Sequence, residues 1–219
     1  MRRTALVAGL AMLSLAGPVR AEDDDMCRNG MFAEGNDSFA LARITGPRKA
    51  HFLDDMNGCP GPSAACRQKA YVLPGDRVVT GRSRGGYVCT YFPNKVGGSA
   101  GWMPRERLAP LAITPRPAQW LGSWADGDNW LRIGRSKAGL RVTGMAFWPS
   151  ARPSLQDRPG GPNMGEIDGP LRVNGARAEE PGCRVTFHLL GDVLIASDPH
   201  RVCDGMNVTF SGVYLRKGR

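Results

Sequence analysis

Residues 184–198 read RVTFHLLGDVLIASD. Two strand-forming runs, separated by only Gly191-Asp192, make a β-hairpin. Glycine at the first central position supplies the positive φ that a type II′ turn requires there. A two-residue turn fixes the register, and the register assigns every side chain to a face. Cys183, Val185, Phe187, Leu189, Leu194 and Ala196 share one face; Arg184, Thr186, His188, Leu190, Val193, Ile195 and Ser197 share the other. The first face is apolar and is expected to line a core. The second is mixed, and His188 on it is read as a solvent-facing strand histidine, with a ligand-facing polar group as the alternative.

Strand patterns continue on both sides of this hairpin. Upstream, residues 118–124, 129–133 (NWLRI) and 140–148 (LRVTGMAFW) are apolar and mostly alternating, 149–162 is a Pro/Gly/Arg loop, and 169–177 holds a weak strand. Downstream, residues 206–215 (MNVTFSGVYL) form a closing strand. Seven or eight antiparallel strands within residues 118–219 suit a closed up-and-down barrel. Three prolines within LAPLAITPRPA, residues 108–118, mark a stiff linker at 113–117. Residues 38–112 carry another set of short strands: 38–45, 70–73, 76–81, 87–92 (YVCTYF) and 100–104, with a turn at 84–86 and a single helical turn at 105–108. The whole chain is therefore expected to be all-β. Glycine and proline number 29 and 17 of 219 residues, a density that leaves little room for long helices.

The N-terminus reads as an address. Arg2-Arg3 precede an apolar run from 4 to 17, and Val19-Arg20-Ala21 precede the acidic Glu22–Asp25. This is the three-part pattern of a cleaved secretory signal, residues 1–21, with cleavage after Ala21. The run is shorter than the roughly 20 residues needed to span a bilayer, so no membrane span is expected. Residues 22–37 are left as an N-terminal extension. Such a protein would work in the periplasm or outside the cell. Removing Arg2, Arg3 and Arg20 lowers the net charge from +9 to +6, spread evenly over both halves. A basic exported protein is drawn to anionic envelope polymers. No basic block with interleaved aromatics points to nucleic acid.

Cys27, Cys59, Cys66, Cys89, Cys183 and Cys203 are an even set in an exported chain and read as three disulfides. If bridges stay within domains, Cys183–Cys203 is forced and the other four allow three pairings. Cys59–Cys66, across the turn CPGPSAAC, with Cys27–Cys89 is the favoured one. The absence of a Cys-x-x-Cys pair and the scatter of His51, His188 and His200 argue against a metal site, and no cofactor is expected.

The residues between 70 and 111 resemble a bacterial SH3-like domain. The resemblance lies in Pro74-Gly75-Asp76 after an apolar strand, the Gly-rich hairpin at 84–86, the aromatic strand at 87–92, Gly101-Trp102-Met103-Pro104, and the final Leu108. It extends to 38–112 with the first strand, and implies a peptidoglycan peptide or another wall component as partner. One departure is the long, cysteine-closed loop before Ala70. Gly122-Ser123-Trp124 resembles the Gly-x-Trp opening of lipocalin-like barrels. Cys183, Cys203, Gly205, Asn207, Phe210, Gly212 and Tyr214 resemble the closing segment of exported barrels that include lysozyme-inhibitor-like proteins. There a glycine often follows the second cysteine directly; here the residue is Asp204.

No catalytic constellation emerges. There is no Gly-x-Ser-x-Gly, the cysteines are assigned to disulfides, and the adjacent pairs Asp54-Asp55 and Glu179-Glu180 point apart on an extended chain. Asp126-Gly127-Asp128 reads as a hairpin turn rather than a calcium loop. The expectation is a binding protein, not an enzyme. Tyr87, Tyr91, Trp102, Trp124 and Trp130 are the candidate binding residues; core packing is the default role of the tryptophans and a stacking surface the alternative. Two further expectations are an inhibitor of a lytic enzyme such as lysozyme and a carrier of a small apolar ligand in the second barrel.

Overall fold

The computed structural model describes residues 26–34, 38–94, 97–156 and 158–218. The expected signal, residues 1–21, lies outside the described residues. Among the described residues no helix is long and apolar enough to cross a membrane.

Seven strands precede the proline-rich segment: β1 (Ala40–Ile44), β2 (Ala50–Leu53), β3 (Arg67–Val72), β4 (Arg77–Arg84), β5 (Tyr87–Phe92), β6 (Ser99–Pro104) and β7 (Leu108–Leu111). They form one antiparallel sheet in the order β3-β2-β6-β5-β4-β1-β7. Successive side chains on a strand point to opposite faces, and the cores follow that rule. Ala42, Ile44, Phe52, Val78 and Met103 pack on one side, while their neighbours Leu41, Leu53, Val79 and Trp102 pack on the other.

Eight strands follow: β8 (Gly122–Asp126), β9 (Asn129–Ser136), β10 (Gly139–Trp148), β11 (Asn163–Asn174), β12 (Arg177–Glu180), β13 (Val185–Leu190), β14 (Val193–Ser197) and β15 (Gly212–Arg216). Each pairs with its chain neighbour, and Leu215 opposite Ala125 closes a barrel between β15 and β8. The hairpin register is the expected one, Leu190 opposite Val193, with φ of 69° at Gly191 and no positive φ at Asp192. All six residues of its apolar face enter the barrel core. Trp124, Phe187, Phe210 and Tyr214 fill that core with no exposed surface. Trp120 joins them from a 3₁₀ turn, Pro117–Trp120, and its indole N–H donates to the Gly175 carbonyl at 3.3 Å.

Three departures from the sequence pattern have physical causes. β11 is twelve residues long where only a weak strand from 169 was expected. Its inward positions are Gly165, Ile167, Gly169 and Leu171, so two glycines erase the apolar alternation. The space at Gly169 is needed: a Cβ there would run into the carboxylate of Glu180. That buried side chain accepts the amide N–H groups of Gly182 and Cys183 at 3.0 and 2.6 Å. β2 was missed because it has only four residues and pairs with β6 at Leu53–Trp102 alone. The closing strand begins at Gly212 rather than Met206: Asn207 sits at φ 64°, and the Phe210 amide donates to Asp198 instead of a neighbouring strand.

Much of the mixed face of the hairpin is covered, His188 included, which corrects its reading as a solvent-facing residue, while Arg184 stays exposed. His188 is 9% exposed, and its ring meets Phe39 edge-on at 5.1 Å. Leu190, Ile195 and Val213 point out of the barrel into a core shared with Leu41, Val79, Tyr91 and Trp102 of the sheet. Residues 26–34 join the same layer through Cys27, Phe32 and Ala33. Phe32 packs on Phe39 and Tyr91 with centroids 5.7 and 5.3 Å away.

Three disulfides, Cys27–Cys89, Cys59–Cys66 and Cys183–Cys203, match the favoured pairing, and they imply folding in an oxidising compartment. The first staples the N-terminal segment to β5. Asp55 adds a second anchor: it accepts the Cys27 amide at 2.9 Å and the Arg28 guanidinium at 2.8 Å. Burial alone would raise the Asp55 carboxyl, but these bonds and the Arg28 charge outweigh it and hold it below the ordinary aspartate value. The stabilisation is present above the pKa of an unfolded aspartate and is lost as pH falls through the lower folded value.

Two outcomes are expected. Phe32→Ala should lower unfolding free energy by about 3–5 kcal/mol in non-reducing urea titrations, whereas Val173→Ala on the exposed barrel surface should change it by less than about 0.5 kcal/mol. Asp55→Asn should remove part of the acid-limb loss of stability, seen as a flatter melting-temperature profile below about pH 4.

Candidate functional site

The strand order brings together basic residues that are scattered in the chain. Arg48 and Lys49 lie in the approach to β2, Arg67 begins β3, and Arg107 ends a 3₁₀ turn, Arg105–Arg107, after β6. With Ala50, His51, Leu53, Tyr87, Met103 and Glu106 they line a cleft of about 600 Å³. Gly61 and Pro62 of the disulfide-closed loop form part of its wall.

Local structure holds the rim in place. Arg107 donates through Nε to Thr45 O at 2.7 Å and through a terminal nitrogen to Arg48 O at 2.6 Å. It thereby clamps the loop that carries Arg48 and Lys49. Gly46, at φ 91°, turns that loop, and a side chain there would press on the Arg107 guanidinium. His51 donates through Nδ1 to Gln68 O at 2.9 Å, which fixes the ring. Its ring lies 5.7 Å from Tyr71, whose face carries the Lys49 ammonium at 4.5 Å. Four cations face one carboxylate, Glu106, over a part-apolar floor of Leu53 and Met103. Such a cleft suits a ligand with carboxylate or phosphate groups on a less polar body.

The five aromatic candidates do not converge. Tyr87 is half-buried and lines the cleft. Tyr91 is 5% exposed; burial, with some help from Asp126, raises its phenol above the ordinary value, and its hydroxyl donates to Gly97 O at 2.8 Å. Trp102 and Trp124 have no exposed surface and pack as core residues, the default of the two roles expected of them, and not as ligand-stacking groups. Trp124 also carries the Arg216 guanidinium 4.0 Å above its ring. Trp130 is 38% exposed on β9 of the barrel, away from the cleft-lining set. The basic rim itself was missed. Arg48-Lys49 was the one local signal, and Arg67 and Arg107 join it only through strand order.

A second grouping occupies the loop between β14 and β15. Asp198 is 1% exposed; it accepts the Arg201 and Phe210 amides, and its own amide donates to Ser211 Oγ at 2.9 Å. Asp204 lies beside it with both carboxyl oxygens buried. Burial first, then the neighbouring Asp198 carboxyl, push the Asp204 carboxyl up to about 8. Among the described residues no group of three His, Cys, Asp or Glu side chains is arranged to hold a metal ion.

These features define an all-β protein with a closed eight-stranded antiparallel barrel and a separate seven-stranded sheet. Comparison with protein-family models, curated proteins and solved structures found no match.

Asp204 gives a pH prediction. A carboxyl whose folded pKa is raised keeps its proton in the native state while the unfolded chain loses it. Stability therefore falls as pH rises from about 4 toward 8. Asp204→Asn keeps the size of the side chain and removes that titration. Its melting temperature should decline less than that of the parent across this window, with the largest gain at pH 8.

Proposed function

We propose that this is a non-catalytic exported envelope protein that binds an anionic cell-wall component, a peptidoglycan peptide or another anionic polymer, in the basic cleft of the seven-stranded sheet. The observation that carries the reading is the convergence of Arg48, Lys49, Arg67 and Arg107 with Tyr87 around one cleft. The resemblance of residues 38–112 to bacterial SH3-like domains supports it, as does the oxidising compartment implied by three disulfides. Binding on the sheet is favoured over carriage inside the barrel because large side chains fill the barrel core.

Retention of the oxidised mature protein on purified sacculi tests this. Arg48→Glu with Arg67→Glu should cut retention at least about ten-fold, and added salt should weaken the parent similarly. Arg132→Glu with Arg135→Glu, the same charge change at two exposed positions of β9, should leave retention unchanged. Equal losses in both double variants would reduce the interaction to net charge and overturn the cleft as its site.

A further inference from the structure

The outer wall of the barrel carries a polar depression of about 290 Å³ that the cleft reading does not use. Its position follows from strand register. Arg177 and Glu179 point outward from β12, with Ala178 and Glu180 buried between and beyond them. Arg177 stands opposite His188, Glu179 opposite Thr186, and Thr186 opposite Ser197. Arg184 approaches from the residue preceding Val185, at φ 62°, and Pro199 and His200 complete the lining. The turn carrying His200 is fixed by Asp198, which accepts the Arg201 amide at 3.0 Å.

We propose that this depression is a binding site for a tetrahedral oxyanion, a phosphate group either free or carried as a monoester. Two guanidiniums face one carboxylate, that of Glu179, so the site carries excess positive charge. Neither Arg177 nor Arg184 forms an ion pair with a described residue. Their planar forks match phosphate oxygens in pairs. The hydroxyls of Thr186 and Ser197 and the imidazole of His200 supply further hydrogen-bonding groups beside them. His188 and Ser197 are 9% and 7% exposed, so the inner part of the site is held by packing rather than by mobile surface chains. The His188 ring also meets Phe39 across the sheet–barrel layer, which fixes its plane. This site shares no residue with the basic cleft and does not depend on it.

Backbone amide NMR of the oxidised mature protein tests the assignment, with inorganic phosphate or glycerol phosphate titrated at constant ionic strength against chloride. Saturable shifts at Thr186, Ser197 and His200 are expected with either phosphate. Tighter saturation by inorganic phosphate would assign the free anion, and by glycerol phosphate the monoester. Arg177→Gln with Arg184→Gln should weaken saturation at least ten-fold while preserving spectral dispersion. His200→Ala should weaken it less, and Arg132→Gln with Arg135→Gln should leave it unchanged. Shifts equal to those in chloride, shifts confined to Arg67 and Tyr87 in the cleft, or an unaltered affinity in the Arg177/Arg184 double variant would each overturn the site.

Discussion

The burial of Leu190, Ile195 and Val213 constrains the whole molecule. These side chains point outward from a closed barrel, where water would ordinarily be, and each is 6% exposed or less. Covering apolar surface of this kind stabilises by about 25 cal/mol per Å². The cover is a layer built from one face of the seven-stranded sheet and the segment 26–34. The Cys27–Cys89 bridge, the Arg28–Asp55 pair and the Phe32 ring secure that segment to the sheet, and the Glu34–Arg201 pair at 3.1 Å ties it to the barrel. Sheet and barrel therefore share a core.

The shared layer also decides which surfaces remain available. It consumes the sheet face that carries Tyr91 and Trp102 and the barrel face that carries Ile195. What is left on the sheet is the rim where the β1–β2 loop, the disulfide-closed loop and the end of β6 meet, and this rim is basic. What is left on the barrel beside the layer is the Arg177–Arg184 depression, with His188 at the boundary. The Asp198–Asp204 pair serves a different purpose. Asp198 organises an irregular loop that strand pairing does not hold, and Asp204 is buried beside it.

Much of the fold was legible because period-two patterning and turn chemistry act locally. The hairpin at 184–198, its turn and its inward face could be read directly, and so could the aromatic strand β5 and the even set of cysteines. The reading failed where a strand's inward positions are glycine, as in β11, or where a strand is too short to show a period, as in β2. It left two roles open where an aromatic residue is equally at home in a core or on a binding face, as with Trp102 and Trp124.

The sequence by itself pointed to the all-β class, a closed second strand set and three cross-links, with the pairing of the first four cysteines open among three, because alternation, turn residues and cysteine count are properties of short stretches. Only the tertiary structure decided that His188, Leu190 and Ile195 of the mixed face are buried. Two strand systems must meet before an outward side chain can become an inward one. It alone gathered Arg48, Lys49, Arg67 and Arg107 around one cleft, since charges spread evenly along a chain acquire a common field only when strand order makes them neighbours.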